Sequence, residues 1–239
     1  MTTPETTVRD IAIEQPASIR VFERYGIDYC CGGRRPLAQA CKERSLQIDD
    51  VLAAIENAAA QQKLTGPDWM SFQLGAICDH IVHAHHNYIR NELPRLHSLA
   101  KKVVTRHGNQ RPELSQIQQL IDAVGRDLIS HLAKEEMMLF PYITNLERNF
   151  AACGPSAFGC SGSVRNPISV MMAEHDVAGE ILAQIRKLSS DYKPPEGACP
   201  TYRTFYLSLE EFEKDLHQHV HLENNILFPR AIELEESCG

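Results

Sequence analysis

Two segments of the chain pair an imidazole with a carboxylate in the same way. His131 to Pro141 reads HLAKEEMMLFP, and nearly ninety residues later His219 to Pro229 reads HVHLENNILFP. Each is His-x-x-x-Glu, four further residues, then Phe-Pro. A spacing of four places both side chains on one face of a helix. The surrounding apolar residues step by three or four along that face: Ile117, Ile121, Val124 and Leu128 lead to His131 and Glu135, then Met138 and Tyr142. Phe205, Leu209, Phe212 and Leu216 lead to His219, Glu223 and Ile226. Both pairs therefore point into a core. One hydrogen bond commonly satisfies a buried histidine. A buried glutamate is far more costly unless its charge is matched. Two such pairs need a shared cause, and a cation between them is the simplest.

Further ligands must come from other helices. A segment reading MMAEHDVAGEIL offers only His175, whereas DHIVHAHHNYIRNELP offers His80, His83, His85 and His86. If the two halves repeat, the missing histidine precedes His131 by about the 44 residues that separate His175 from His219. His86 lies 45 before it and His85 lies 46 before it. Spacing leans toward His86, and periodicity does not separate the two. Four imidazoles and two carboxylates suit a pair of metal ions sharing both carboxylates. Nitrogen and oxygen donors without thiolate point to iron first, then manganese, with zinc behind. Ferritin-like sites use Glu-x-x-His, so the reversed order and longer spacing mark a different site.

Helices must position these residues. Four long helical patterns cover about 68–104, 113–148, 167–190 and 200–235, separated by RHGNQRP, CGPSAFGCSGSVRNP and DYKPPEGACP. β-branched alternation is scarce and no strands are expected, so the reading is an all-α four-helix bundle. Ahead of it, PASIRVFERYG, LAQACKERS and IDDVLAAIENAAAQQ read as short helices, the last capped by Asp49 or Asp50, and DYCCGGRRP reads as a turn. KLTGPDW reads as a linker. The expected division is a small helical N-terminal domain, 1–64, and a bundle, 68–239.

Composition excludes other classes. With 24 basic against 31 acidic residues, a net charge of −7 and no basic block, nucleic acid is not an expected partner. The N-terminal stretch carries charges throughout and lacks the apolar region of a secretory signal, and no run is long enough to span a membrane. The chain reads as cytoplasmic. In that setting its eight cysteines are expected as thiols, ligands or redox groups.

The chain resembles the RIC family of di-iron proteins that repair iron–sulfur centres. The resemblance rests on DYCCGG at Asp28–Gly33, HHNYIRNELP at His85–Pro94, the two repeated segments, and PISVMMAEHDVAGE at Pro167–Glu180. It implies a haemerythrin-like bundle holding two non-haem irons on His86, His131, Glu135, His175, His219 and Glu223. The two glutamates would bridge, with an oxo or hydroxo group between the irons when oxidised. It also implies damaged iron–sulfur proteins as partners, nitric oxide or oxygen as small molecules, and homodimers among the assemblies allowed. Iron delivery and a nitric-oxide-reductase-type oxidoreductase activity both stand as expectations. A haemerythrin-like oxygen or nitric oxide binder or sensor and a non-catalytic iron store are the alternatives. The long 151–167 loop, with Cys153 and Cys160, departs from the family pattern.

Four further residues could take part in the chemistry. Cys30 and Cys31, beside Gly32, Gly33, Arg34 and Arg35, could be a redox pair or thiols buried in a tight turn. Asp127, one turn before His131, and Glu174, next to His175, could orient an imidazole or offer a proton. His80, His83, His217 and His221 fall off the stripes and are expected at the surface, and Tyr142 is expected in the core.

Overall fold

The computed structural model describes residues 2–61, 67–153 and 163–237. Most of the Lys63–Asp68 linker, the side chain of Cys153, and Cys160 lie outside them. Among the described residues there are eight helices and no strand, apart from an isolated bridge between Thr7 and Pro36. No helix there is long and apolar enough to cross a membrane.

Four short helices come first: α1 Val8–Glu14, α2 Ser18–Tyr25, α3 Leu37–Glu43 and α4 Ile48–Gln61. Helix α1 is not among the sequence expectations, although its signal is present: Thr7 accepts a hydrogen bond from the Asp10 amide as an N-cap. Gly26 stops α2 in the left-handed region, φ 64°. Asp49 and Asp50 lie inside the first turn of α4 and do not cap it. The DYCCGG segment is a loop built on Asp28, whose carboxylate accepts the amides of Cys30 (3.0 Å), Cys31 (3.0 Å) and Gly32 (2.8 Å). A side chain at Gly33 would meet the Tyr29 carbonyl at 2.5 Å, so that position needs glycine.

The bundle follows as α5 (74–107), α6 (113–153), α7 Arg165–Leu188 and α8 (200–236). Three of the four contain one wide π turn: Val82–His86 in α5, Glu135–Leu139 in α6 and Leu222–Leu227 in α8. Such turns insert an extra residue and recur at functional sites. The insertion corrects the expected stripe of α6. Met138 is 71% exposed, whereas Leu139, Phe140 and Ile143 are buried in its place, and Tyr142 is half-buried with its hydroxyl on Glu235 at 3.0 Å.

Each half of the bundle is fastened at its open end by one carboxylate. Glu147 accepts the first amides of α5, Leu74 at 2.7 Å and Gly75 at 2.9 Å. Glu235 accepts the Val164 amide at the start of α7, at 2.8 Å. Both satisfy helix-end donors that have no partner within their own helix.

The N-terminal segment packs on α8. Asn225, buried in the π turn, donates to the Tyr29 carbonyl and to His221 Nδ1, both at 2.9 Å. Burial and Arg9 push His221 down to about 4, so its ring is neutral and can accept. Pro229 has no N–H for the carbonyl four residues back, that of Asn225, which accepts Arg9 at 3.2 Å. His221 is thus buried and His217 half-buried, both with ring contacts to Tyr29, contrary to their expected exposure. His80 is half-buried against Trp69, while His83 is exposed as expected. Replacing Asn225 by Ala leaves the Tyr29 carbonyl and His221 without a donor in a buried interface. It should lower unfolding free energy by about 1–3 kcal/mol, measured by urea denaturation of the whole chain. An unchanged midpoint would contradict this role.

Candidate metal centre

His86, His131, Glu135, His175, His219 and Glu223 meet at the middle of the bundle, each no more than 2% exposed. They form two overlapping sets. His86 on α5 and His219 on α8 make one with Glu135 and Glu223. His131 on α6 and His175 on α7 make the other with the same two glutamates. Within each set the ligating atoms lie within 4.8 Å of one another. Each carboxylate spans both sets. Glu135 lies 3.4 Å from His86 Nε2 and 3.2 Å from His131 Nε2; Glu223 lies 3.1 Å from both His175 Nε2 and His219 Nε2.

The outer face of three of the rings explains their orientation, while His219 Nδ1 is buried without a hydrogen bond among the described residues. His86 Nδ1 lies 2.6 Å from Glu136, His131 Nδ1 2.8 Å from Glu174 and His175 Nδ1 2.9 Å from the Asn224 side-chain oxygen. These acceptors hold the proton on Nδ1 and turn the Nε2 lone pair inward. The carboxylate oxygens of Glu135 and Glu223 are all buried without a hydrogen bond. The centre is therefore a cluster of acceptors facing acceptors, which is stable only around positive charge. A pair of cations fits that donor set.

Without a cation, protons fill the same role. Burial opposes charge on His131, but its contact with Glu135 and the charges of Glu135 and Glu223 raise it to about 9. His86 is likewise raised against burial by Glu135 and Glu223. Burial opposes ionisation of Glu223, yet His219 and His175 hold its carboxyl well below the usual range. His219, the most enclosed, is pushed down by burial.

Of the residues expected to support the ligands, Glu174 does so, lying between His131 and Lys134. Asp127 does not: it is exposed, makes no hydrogen bond or ion pair among the described residues, and leaves His131 Nδ1 to Glu174. Glu136 and Asn224 were not foreseen. Each directly follows the glutamate of its repeated segment, so the repeat itself carried the signal. Arg90 steadies Glu136 at 2.7 Å. The repeated phenylalanines also face rings: Phe140 stacks on His86 with centroids 5.7 Å apart, and Phe228 on His175 at 6.2 Å. His85 is buried but belongs to neither set. It pairs with Asp215 at 2.9 Å and stacks on His219.

Cys30 and Cys31 stand beside this centre without entering it. Their sulfurs are 3.9 Å apart, and Cys31 Sγ lies 3.6 Å from the backbone carbonyl of His175. The adjacent Cys31 thiol, burial and the Asp28 carboxylate raise the Cys30 thiol well above its usual range. A cleft of about 470 Å³ between α6 and α7, with Val124, Leu128, Val170 and Val177 among its walls, reaches His131 and His175.

A family model described as the Hemerythrin HHE cation binding domain matches residues 79–231, and one described as a Domain of Unknown function (DUF542) matches residues 4–59. The chain is 35% identical over 228 residues to the iron-sulfur cluster repair protein YtfE of Pectobacterium atrosepticum, covering 95% of this chain and 97% of that protein. It is 35% identical over 223 residues to the proteins of the same name from Escherichia coli O81 and Escherichia fergusonii, covering 93% of this chain and 94% of each.

Proton and cation compete for the same nitrogens. The folded-state affinity of His131 for a proton is raised, so its contribution to the cation-free fold is complete below its ordinary value near 6.5. That contribution is lost as pH rises through about 9. Cation binding needs neutral imidazoles and strengthens over the same interval. The gap in melting temperature between cation-loaded and cation-free protein should therefore widen from pH 6 to pH 9. A gap that is flat or narrows would mean that Nε2 of these rings is not what the cation displaces protons from. Glu174→Ala should weaken cation affinity by about 10–100-fold, read by competition with a chelator.

Proposed function

The chain belongs to the haemerythrin HHE cation-binding family and to the iron–sulfur cluster repair proteins that carry that domain, and on that premise we propose that it is a di-iron protein that repairs iron–sulfur clusters damaged by nitric oxide or oxidants. One observation carries the reading: two buried carboxylates, none of whose oxygens accepts a hydrogen bond, each face imidazoles of both histidine pairs. His86 and His219 would hold one iron, His131 and His175 the other, with Glu135 and Glu223 bridging. All-nitrogen-and-oxygen donors suit iron. When bound, the iron pair supplies one-electron redox chemistry and a labile store of the metal that damaged clusters lack.

The chain's own residues fit that task. The apolar cleft between α6 and α7 suits entry of a small uncharged molecule such as nitric oxide or oxygen to the His131 and His175 side. Glu174 keeps a proton at His131 Nδ1 while remaining one-third exposed, in reach of solvent protons. Cys30 and Cys31 would serve as the reducing pair, held against the His175 backbone by the Asp28 loop. An oxygen carrier of the haemerythrin type resembles a five-histidine site. Here the fifth buried ring nearby, His85, is held by Asp215, and only four rings join the two sets. A bare iron store gives no role to the thiol pair beside the centre.

Purified protein should hold close to two irons per chain, and Glu135→Ala or Glu223→Ala should each lose at least one, by elemental analysis. Full occupancy in both variants would rule out bridging. The di-ferrous protein mixed anaerobically with nitric oxide should release nitrous oxide and restore a nitric-oxide-treated iron–sulfur dehydratase. The Cys30→Ser, Cys31→Ser variant should keep its iron yet restore the dehydratase poorly. Equal restoration would make the thiols structural.

A further inference from the structure

The dithiol loop has a second face, turned away from the metal centre. Cys30 and Cys31 form part of one wall of a cleft of about 730 Å³, and the opposite wall is the C-terminal half of α7 with Glu213 and His217 of α8. The cleft lies within the range typical of small-molecule sites. Neither histidine–glutamate set opens into it.

Several charges in the cleft are already engaged. Asp28 accepts three backbone amides, Glu213 is paired with Arg186, and Arg35 is held by Glu43 and the Gly32 carbonyl. Others are not. Arg44, Lys187, Asp176, Glu180 and Asp191 line the cleft, and their side chains make no ion pair or hydrogen bond among the described residues. Arg44 is exposed, and its guanidinium lies over the cleft beside that of Arg186. Arg44 Nη1 and Arg186 Nη1 lie 3.4 and 3.6 Å from where a side chain on Gly26 would begin. Two guanidiniums converging on Gly26, in a cleft whose lining also includes Asp176, Glu180, Asp191 and Cys31, make a mixed-charge surface. A simple anion or cation would meet repulsion from half of it.

We propose that this cleft binds a zwitterionic low-molecular-weight thiol, peptide-like, with two carboxylates and one ammonium, and that Cys31 undergoes disulfide exchange with it. Arg44 and Lys187 would receive the carboxylates, Asp176, Glu180 or Asp191 the ammonium, and Cys31 the sulfur. Cys31 is the reactive member because it is half-exposed, whereas Cys30 is only 4% exposed and its thiol is turned toward Asp28. The oxidised ligand is a disulfide of two such thiols. The Cys31 sulfur attacks one ligand sulfur, a Cys31–ligand S–S bond forms and the ligand's own S–S bond breaks. Two electrons pass from the Cys31 sulfur to the departing one, which leaves as a thiol carrying the proton that Cys31 gave up. The reverse step regenerates free Cys31.

The inference does not depend on iron, so it is tested first on metal-free, fully reduced whole chain. Oxidised glutathione is the charged probe and 2-hydroxyethyl disulfide the neutral one, with the modified residue located by peptide mass mapping. Glutathione should be found on Cys31. The Arg44→Glu, Lys187→Glu variant should slow that modification about tenfold and leave the rate with the neutral disulfide unchanged. Cys199, half-exposed and far along the chain, is the internal control and should show no dependence on those charges. S-Methylglutathione, which cannot exchange, should protect Cys31 of the wild type from iodoacetamide and not protect Cys199. This arm stands even if the double variant fails to fold. The proposal is overturned if S-methylglutathione gives no protection, if the variant slows both disulfides equally or neither, or if the peptide is carried on Cys30. Iron-loaded protein run alongside separates the two readings. Loss of cluster repair with intact Cys31 modification would fault the proposed function, and the converse would fault the cleft.

Discussion

Eight acceptor atoms in one buried layer set the terms for the rest of this protein: four carboxylate oxygens of Glu135 and Glu223 and the Nε2 atoms of four histidines. The apolar core is divided by them. One cluster, with Leu93, Leu128, Leu182 and Leu216, lies on one side, and another, with Ile77, Phe140, Ile168 and Phe228, lies on the other. A layer of this kind would open a water-filled gap in a bundle if left uncompensated. Here three of the rings are braced from outside by hydrogen bonds, and His86 and His175 also by aromatic stacking, so that the carboxylate oxygens and the Nε2 atoms are left facing the centre. Positive charge is the one thing that answers it, as imidazolium without a metal and as bound cation with one.

The repeated segment is the unit that does the bracing. In α6 it supplies two candidate ligands, His131 and Glu135, then Glu136 and Phe140, which both act on His86 of the neighbouring α5. Glu147 then fastens the start of that same helix. In α8 the corresponding residues are His219 and Glu223, then Asn224 and Phe228, which both act on His175 of α7, and Glu235, which fastens α7. The segment occurs twice because each copy holds a helix that does not orient its own histidine. The symmetry stops at one place. Glu174, next to His175, reaches across to His131, whereas His85, next to His86, only stacks on His219, and Nδ1 of His219 has no hydrogen bond among the described residues.

The bundle, its four helices and five of the six converging residues were legible because each depends on spacing that survives folding, and spacing only leaned toward the sixth, His86. The choice between His85 and His86 was not legible from periodicity, and the reason is physical. Both rings are buried, since the π turn Val82–His86 crowds two successive residues toward the interior. The same distortion in α6 moved the stripe from Met138 to Leu139. Periodicity assumes a constant turn, and π turns violate it at the site itself. His217 and His221 were misplaced for a different cause. A residue that is outward-facing in a bundle is buried when another segment covers it, and nothing local announces that Tyr29 will do so. Asp127 shows the limit of sequence distance: four residues before His131 puts it on a neighbouring position of the face, but the inward lean of His131 turns Nδ1 toward α7 instead.

The π turn of α8 joins the metal centre to the N-terminal segment with no intermediate. Among its residues, Glu223 belongs to both candidate ligand sets, Asn224 fixes His175, and Asn225 grips the backbone of Tyr29 directly before the cysteine pair. On the far side, Cys31 touches the carbonyl of that same His175. His175 is thus fixed from its ring by α8 and approached at its backbone by the dithiol loop, while the loop is itself tied to α8 by Asn225. These contacts close a ring of three elements, α7, α8 and the loop, and any shift of one must be shared by the others because packed interiors deform little. The thiol pair therefore keeps a fixed place beside the centre by virtue of α7 and α8 themselves.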